Sequence, residues 1–336
     1  MKTKTVMQQG LSHIETPAEW APQKKIWTAW PSHADLWQEN LRPAQQEVAT
    51  MILALASAGP VNVLVLGSDK TALASAQAAL TAPNIKLIPA NFGDIWLRDT
   101  GPIFVRKNGQ TTAATFLFNG WGGKYVLDHD DEVSAFVAHQ SGLPVVEHDF
   151  ILEGGSLEHD GAGTILTTRQ CLLHANRKSG GLEQVEENLK EAFGAQRILW
   201  LEEGLVNDHT DGHIDNLARF AAPGHALCQS PSGSDDPNAG IFESVAKQLA
   251  DMGLKVTQIP SPGLITNEDG EPVAASHMNY IIYNDVIVLP TYEEVYSKAA
   301  AAALAKIFPS HRIVPAPARH VLSGGGSFHC ITQQEF

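Results

Sequence analysis

Apolar residues along the chain alternate between helical spacing and the short continuous runs typical of buried strands. Helical spacing over residues 40–59 ends at Gly59-Pro60, a combination that stops helices. The run Val61–Leu66 then predicts a buried strand, residues 69–80 an alanine-rich helix, and residues 85–89 another strand. The predicted order is therefore helix, strand, helix, strand.

The rest of the chain continues this alternation. Helices are predicted over residues 130–141, 181–193, 241–251 and 293–307, and strands over residues 145–148, 197–201, 254–259 and 311–315. Turn residues at Asp160-Gly161 and Asn284-Asp285 predict two hairpins. Alternating polar and apolar residues over 91–105 predict a further strand.

That last stretch places Asp94, Arg98 and Asp99 in a half of the strand that we expect to be buried. Buried carboxylates are costly unless a cation or a hydrogen-bond donor meets them. Two interpretations stay open: an internal salt bridge between Arg98 and an aspartate, or a functional site.

The densest group of ionisable residues lies over residues 207–220. If its second half is a strand, His213 and Asp215 face the same side, since they are two residues apart. His209, Asp211, His213 and Asp215 also form a candidate metal site, because imidazole and carboxylate suit several divalent metals.

Glycine accompanies the remaining candidate residues. Glu153 precedes a Gly-Gly pair, Trp121 lies inside a glycine-rich loop that either turns the chain or lines a pocket, and Gly324-Gly325-Gly326 precede Cys330. Three glycines permit a close approach of the main chain to a ligand. Cys330 is therefore either a catalytic cysteine or an incidental residue in a flexible C-terminal tail.

The polar segments recur at similar intervals. Strands bearing them are predicted to begin near Gly93, Gly154, Gly212, His277 and Gly325, with 48 to 65 residues between successive starts. Such a period indicates a radial or stacked repeat. We expect a single domain over residues 1–336, a closed α/β propeller of five ββαβ units with one polar motif from each unit at its centre.

Composition narrows the function. The 336 residues are 43% hydrophobic and 18% charged, as in a globular protein with a large core. Lys and Arg number 23 and Asp and Glu 37, a formal charge of −14. Such a surface disfavours nucleic acid and favours a small cationic ligand.

The three cysteines are far apart, unlike a disulfide scaffold. The first ten residues have no apolar run that would form a signal peptide, and no stretch approaches the ~20 apolar residues of a membrane span. We therefore expect a cytoplasmic protein with no membrane partner.

Four segments in the expected order resemble the agmatine deiminase family, within the guanidine-modifying enzymes that include peptidylarginine deiminases. They are Trp96-Leu97-Arg98-Asp99-Thr100-Gly101-Pro102, Glu153-Gly154-Gly155, His213-Ile214-Asp215-Asn216 with Arg219-Phe220, and residues 324–334 around Cys330. The resemblance runs from about Trp20 to Gln334. It implies a five-bladed α/β propeller, no cofactor, and hydrolysis of a guanidinium to a urea and ammonia. We expect no metal.

The resemblance also implies residue roles. Asp99 and Asp215 match the carboxylates that grip the planar guanidinium. Cys330 matches the nucleophile and His213 the general acid that protonates departing ammonia and then activates water. Glu153 matches the acidic residue that favours protonation of His213.

For the outer pocket we expect Asp94, Trp96 and Trp121, with the carboxylate or a cation–π contact meeting the distal amine of agmatine. Cys171 and Cys228 are expected to be buried in apolar surroundings. The function expected is a cytoplasmic agmatine deiminase, as a homo-oligomer with a dimer as the expected form. The alternatives are a deiminase of peptidyl or free arginine, and a metal-dependent or noncatalytic propeller that binds polyamines.

Overall fold

The computed structural model describes residues 13–336, so the predicted absence of an N-terminal signal peptide falls outside the described residues. Its strands are β1 (Ile14–Glu15), β2 (Lys25–Ala29), β3 (Val61–Leu66), β4 (Ile85–Ala90), β5 (Ile103–Lys107), β6 (Gln110–Leu117), β7 (Val145–Ile151), β8 (Glu158–His159), β9 (Thr164–Thr168), β10 (Arg197–Leu201), β11 (Ala218–Ala222), β12 (His225–Ser230), β13 (Lys255–Pro260), β14 (Ile281–Tyr283), β15 (Val286–Thr291), β16 (Arg312–Pro317) and β17 (Thr332–Glu335). Its α-helices are α1 (Ala34–Trp37), α2 (Leu41–Ala56), α3 (Lys70–Ala79), α4 (Leu97–Thr100), α5 (Gly120–Gly123), α6 (Val133–Ser141), α7 (Arg169–Leu172), α8 (Leu182–Phe193), α9 (Ala239–Asp251), α10 (Glu294–Ile307) and α11 (Arg319–Leu322).

The described strands form five sheets that share one pattern. In one of them β12 pairs antiparallel with β11 and parallel with β13, which the chain reaches through helix α9. The same antiparallel pair followed by a helix and a parallel strand occurs in β5-β6-β7, β8-β9-β10, β14-β15-β16 and β17-β2-β3. The predicted mixed α/β class with a fivefold ββαβ repeat is confirmed.

The last described strand returns to pair with the second strand of the chain. Strand β17 pairs antiparallel with β2, and the indole nitrogen of Trp27 lies 2.9 Å from a carboxylate oxygen of Glu335. Lys25 adds an ion pair to the same carboxylate at 3.3 Å. Cys330 therefore lies two residues before a paired strand, and the interpretation as a flexible tail is wrong.

Apolar spacing accounts for the helices. Helix α8 buries Val185, Leu189, Ala192 and Phe193, which lie three or four residues apart on one face. It ends at Gly194, whose φ of 67° is the left-handed conformation that terminates many helices. No helix within residues 13–336 combines the length and the apolar character needed to cross a membrane.

Two predicted strands are wrong where polar motifs occur. Residues 91–102 are not a strand; α4 forms there, and the strand β5 begins only at Ile103. Ile214–Asn216 is a 3₁₀ turn, and β11 begins after it at Ala218. In both segments the polar residues alternate because they belong to a buried cluster, and not because a pleat turns them to one face. The motifs thus precede the strands.

Candidate active site

The segments before the strands meet around a cavity of about 380 Å³. Five of the predicted site residues line it: Asp94, Trp96, Asp99, Trp121 and Cys330. The other three, Glu153, His213 and Asp215, are fully or almost fully buried: His213 contacts Asp99, Asp215 contacts Cys330, and Glu153 contacts His213. The structure therefore brings all eight predicted residues into one region.

Cys330 is buried against Asn279 and Asp215. Its sulfur lies 3.2 Å from Nδ2 of Asn279 and 3.6 Å from Oδ2 of Asp215, and its backbone N–H donates to Oδ1 of Asn279 at 3.2 Å. Burial raises the pKa of the Cys330 thiol well above its ordinary value, and the charges of Asp215 and Asp99 add to this. A cation between the thiol and these carboxylates would favour the thiolate.

The glycines before Cys330 allow indole rings to approach the backbone. A Cβ on Gly324 would lie 2.8 Å from the ring of Trp37 and 2.9 Å from that of Trp96, and one on Gly326 would lie 2.6 Å from Trp96. Such contacts are too short for any side chain. The glycines therefore fit the last motif against the indole wall of the cavity.

The two aspartates predicted to grip the guanidinium have different surroundings. Asp99 accepts hydrogen bonds from the backbone N–H of Gly155 and the indole N–H of Trp121, both at 2.9 Å, and burial raises its pKa to about 6. Asp215 accepts a hydrogen bond from Nδ1 of His329 at 2.8 Å. Burial alone would raise the pKa of Asp215, but the hydrogen bond and charge of His329 outweigh it and lower the pKa.

One oxygen of Asp215, Oδ1, is buried and has no hydrogen-bond partner among the described residues. An unpartnered buried carboxylate oxygen is costly, so such an atom points to a group that binds there. A guanidinium supplies N–H donors in the planar arrangement that a carboxylate accepts.

His213 is fully buried between two carboxylates. Its Nε2 lies 2.9 Å from Oε2 of Glu153 and its Nδ1 lies 3.7 Å from Oδ1 of Asp99. Burial alone would lower the pKa of His213, but Asp99, a hydrogen bond with Cys171 and Glu153 outweigh it and raise the pKa well above its ordinary value. These surroundings therefore favour the protonated form of His213.

Arg177 fixes the carboxylate beside that histidine. Its Nε and Nη2 donate to the two oxygens of Glu153 at 3.0 and 2.9 Å, and Nη2 also donates to the carbonyl of Thr210. Burial would raise the pKa of Glu153, but His213 and Arg177 together lower it. Arg177 thus holds Glu153 beside His213 and favours its ionised form.

Asp94, which also lines the cavity, is oriented by two indoles. Its Oδ1 accepts from Nε1 of Trp37 at 2.9 Å and its Oδ2 from Nε1 of Trp96 at 2.8 Å. Burial is the main reason that the pKa of Asp94 is raised. A cation bound beside the Asp94 carboxylate would offset the free-energy cost of burying its charge.

Several residues of the cluster were not predicted, namely Arg177, Asn279, Trp37 and Glu19. The start of the fourth repeat near His277 was the one signal that could have drawn attention to Asn279. Oε2 of Glu19 lies 2.8 Å from Nε2 of His329, and Glu19 also forms an ion pair with Arg219. It therefore fixes His329 against Asp215 from a segment more than 300 residues away in sequence.

The structure does not support two of the alternatives that the sequence left open, the metal site and the Arg98 salt bridge. The four residues of the candidate metal site have separate neighbours: His209 stacks on Tyr125, His213 binds Glu153, Asp215 binds His329, and Asp211 pairs with Lys124 and Arg177. Within residues 13–336 the three side chains close enough together to bind one metal ion are instead Glu153, Cys171 and His213. Arg177 already contacts Glu153 in that group.

Arg98 forms no ion pair with an aspartate among the described residues; its Nε donates to the carbonyl of His329 at 3.2 Å. Cys171 and Cys228 are each buried in an apolar cluster, as expected. The sulfur of Cys171 also lies 3.8 Å from Oε2 of Glu153.

Gly155 offers a test of this packing. A Cβ there would lie 2.5 Å from Nδ1 of His213 and 2.9 Å from Oδ1 of Asp99, so Gly155→Ala must displace one of them. We expect kcat/KM to fall about 100-fold, the cost of a displacement of about 1 Å in a catalytic group. Steady-state kinetics check this. Gly240→Ala on helix α9, where a Cβ meets no atom within 4 Å, is the control, and equal activity of both variants would contradict the packing.

Five ββαβ units that bring a cysteine, a histidine and several carboxylates to one buried cluster define the chain as an enzyme of the guanidine-modifying type. The chain belongs to the Porphyromonas-type peptidyl-arginine deiminase family, whose model matches residues 15–335.

Relatives within this family agree with that assignment. The agmatine deiminase of Stutzerimonas stutzeri is 36% identical over 95% of this chain and 94% of its own. The structure of an agmatine deiminase of Enterococcus faecalis has a TM-score of 0.89 and 30% identity, covering 96% of this chain and 95% of its own. A C. jejuni agmatine deiminase with a cysteine-to-serine change and substrate bound has a TM-score of 0.89 and 27% identity, covering 99% of both chains.

Proposed function

We propose that this chain is an agmatine deiminase, a hydrolase of the C–N bond of linear amidines that converts agmatine to N-carbamoylputrescine and ammonia. The observation that carries the proposal is the placement of Cys330, Asp99 and Asp94 along one cavity of about 380 Å³. Agmatine is a guanidinium joined by a short apolar chain to an amine. Each end of the molecule therefore carries a cation that a carboxylate of the cavity can bind. Relatives 36% identical over nearly the whole chain carry the same activity in their names.

In the proposed complex Asp99 and Asp215 hold the two sides of the guanidinium. Each carboxylate accepts N–H bonds from the planar cation, and Oδ1 of Asp215 is free for this purpose among the described residues. The clamp places the central carbon at the sulfur of Cys330, which makes attack effectively unimolecular. The bound cation also lowers the cost of forming the thiolate.

The reaction then proceeds through a covalent intermediate. As the cation binds, the Cys330 thiol releases its proton to solvent and the thiolate forms a bond to the central carbon. His213 gives its proton to one amino group, and that group leaves as ammonia, which takes up a proton in solvent. Neutral His213 next takes a proton from water, whose oxygen attacks the thiouronium carbon. The S–C bond breaks and the hydroxyl proton passes to the sulfur, leaving a urea, the Cys330 thiol and protonated His213.

At the outer end we propose that Asp94 binds the distal amine, within a wall formed by Trp37, Trp96 and Trp121. The Asp94→Asn variant should therefore raise KM for agmatine about tenfold or more, since a hydrogen bond to a charged group contributes about 1.5–3 kcal/mol. Butylguanidine, which lacks the amine, is the matched substrate. Its KM should change little, and an equal rise for both substrates would remove Asp94 from amine recognition.

Ammonia release from agmatine, free arginine and an arginine peptide tests the proposal. We expect agmatine to have the highest kcat/KM, because the outer carboxylate suits an amine and disfavours a second carboxylate. Turnover of arginine or of the peptide without agmatine turnover would establish the alternative deiminase activity.

The finer statements about this chain are proposals as well. We propose that residues 1–336 form a single catalytic domain and that the protein is a cytoplasmic dimer. Sedimentation of the purified protein tests the dimer. The proposed product, a carbamoylated diamine, places the reaction in polyamine biosynthesis leading to putrescine.

A further inference from the structure

A glycine-rich loop over residues 119–126 forms part of the cavity wall. Inside it Trp121 has φ of 51° and ψ of 50°, a left-handed conformation that a non-glycine residue keeps only where its contacts hold it. Those contacts include the 2.9 Å hydrogen bond from its indole to Asp99. The loop therefore supports one of the two clamp carboxylates directly.

The same loop is fixed at its other end by Lys124. Its ammonium lies 2.8 Å from Oδ1 of Asp211 and also contacts the carbonyl of His209. The ring of Tyr125 stacks on the ring of His209 with 5.9 Å between centroids. Both contacts join the loop to the segment that carries His213.

Asp211 connects Lys124 to the buried cluster around Glu153. Its second oxygen, Oδ2, pairs with Nη1 of Arg177, whose other nitrogens hold Glu153. The exposed fractions of the side chains fall from 33% for Lys124 to 20% for Asp211 and 1% for Arg177. The Lys124–Asp211–Arg177 bridge thus runs from the surface to the partner of His213.

We propose that Lys124 and Asp211 are positioning residues that couple docking of the glycine-rich loop to the placement of His213 and of the clamp carboxylate Asp99. The inference rests on the proposed function, because it assigns Asp99 and His213 their parts in that reaction. With the loop docked, Trp121 orients Asp99 while Arg177 holds Glu153 against His213. With Lys124 removed, both supports loosen together.

The test compares three lysine variants in the full chain. Lys86 on β4 is exposed and makes no ion pair or side-chain hydrogen bond with residues 13–336, so Lys86→Met controls for the loss of one charge. We expect Lys124→Met to lower kcat/KM for agmatine about tenfold, Lys124→Arg to retain about half of it or more, and Lys86→Met to change it less than about twofold. The thermal midpoint of Lys124→Met should stay close to that of the wild type, since partly exposed ion pairs stabilise a fold little.

Coupling is measured with Asp211→Asn and the double variant. Residues that act as one unit give non-additive losses, so the double variant should lose about as much kcat/KM as either single variant. If kcat/KM of the double variant falls about 100-fold, the product of two independent tenfold losses, the coupling is overturned.

A second readout does not require turnover. Loop undocking should expose Cys330, so Lys124→Met should raise its alkylation rate by iodoacetamide severalfold over Lys86→Met, as followed by peptide mass spectrometry. If the wild type releases no ammonia from agmatine, the proposed function fails while the alkylation comparison still tests the loop. Equal alkylation of the two variants overturns the proposal.

Discussion

Replacement of Cys330 by alanine is expected to lower kcat for agmatine by at least about 10⁴-fold, as the loss of a covalent nucleophile does in other enzymes. The sulfur of Cys330 lies beside Asn279 and Asp215 at the cavity, whereas Cys171 and Cys228 are fully buried elsewhere. No other described thiol lines that cavity. Ammonia release at saturating agmatine measures the effect.

Cys228→Ala is the matched control, because Cys228 is also buried but lies in an apolar cluster. It should retain activity within about twofold and lose some thermal stability, as expected for a small core truncation. Full activity of Cys330→Ala, or loss of wild-type activity on treatment with a chelator, would favour the metal-dependent alternative.

Replacement of His213 by asparagine is expected to lower kcat about 10³-fold, within the range for a general acid and base. Asp99 and Glu153 outweigh the effect of burial and raise the pKa of His213 well above its ordinary value, which favours the protonated form that the proposed mechanism requires. Asparagine keeps a polar side chain of similar reach but cannot supply that proton. Steady-state kinetics should therefore assign the loss to kcat more than to KM.

His225→Asn provides the comparison for this variant. His225 lies on β12, where its Nε2 is 2.9 Å from Oγ1 of Thr257, and it has no contact with the cluster. Its replacement should leave kcat within about twofold of the wild type. A value of kcat for His213→Asn within tenfold of the wild type would contradict the proton-transfer role.

Apolar spacing was sufficient to predict most elements of the fold. The run Val61–Leu66 and the helix ending before Gly59-Pro60 agree with β3 and α2, since both depend on local burial patterns. The same reasoning failed over residues 91–102. There the polar side chains are set by the buried cluster, and local hydrogen bonds such as that from Asp99 N–H to the carbonyl of Trp96 turn the backbone into α4.

The predicted site residues came from motifs that resemble those of a family, and the structure places them together. Their supporting residues could not be predicted in this way. Glu19 lies 310 positions from His329, and Arg177 lies 24 positions from Glu153, with no motif around either. Such contacts arise from the tertiary fold alone. Cys171 illustrates the same limit, because its apolar surroundings could be predicted but its 3.8 Å contact with Oε2 of Glu153 could not.

The role of the glycines before Cys330 could be predicted only in part, for a related reason. A run of three glycines indicates that the backbone must approach something closely, but not what it approaches. In the structure that neighbour is the indole wall of Trp37 and Trp96, which also orients Asp94. Cys330, the cavity wall and the outer carboxylate are therefore parts of one packed unit.

Mass spectrometry of the protein quenched with acid during agmatine turnover tests the covalent mechanism most directly. We expect a peptide containing Cys330 with a mass gain equal to agmatine minus ammonia, the composition of the thiouronium intermediate. Cys330→Ala should carry no such adduct. Rapid ammonia release with no adduct on Cys330 at any quench time, or an adduct on Cys171 instead, would contradict the account.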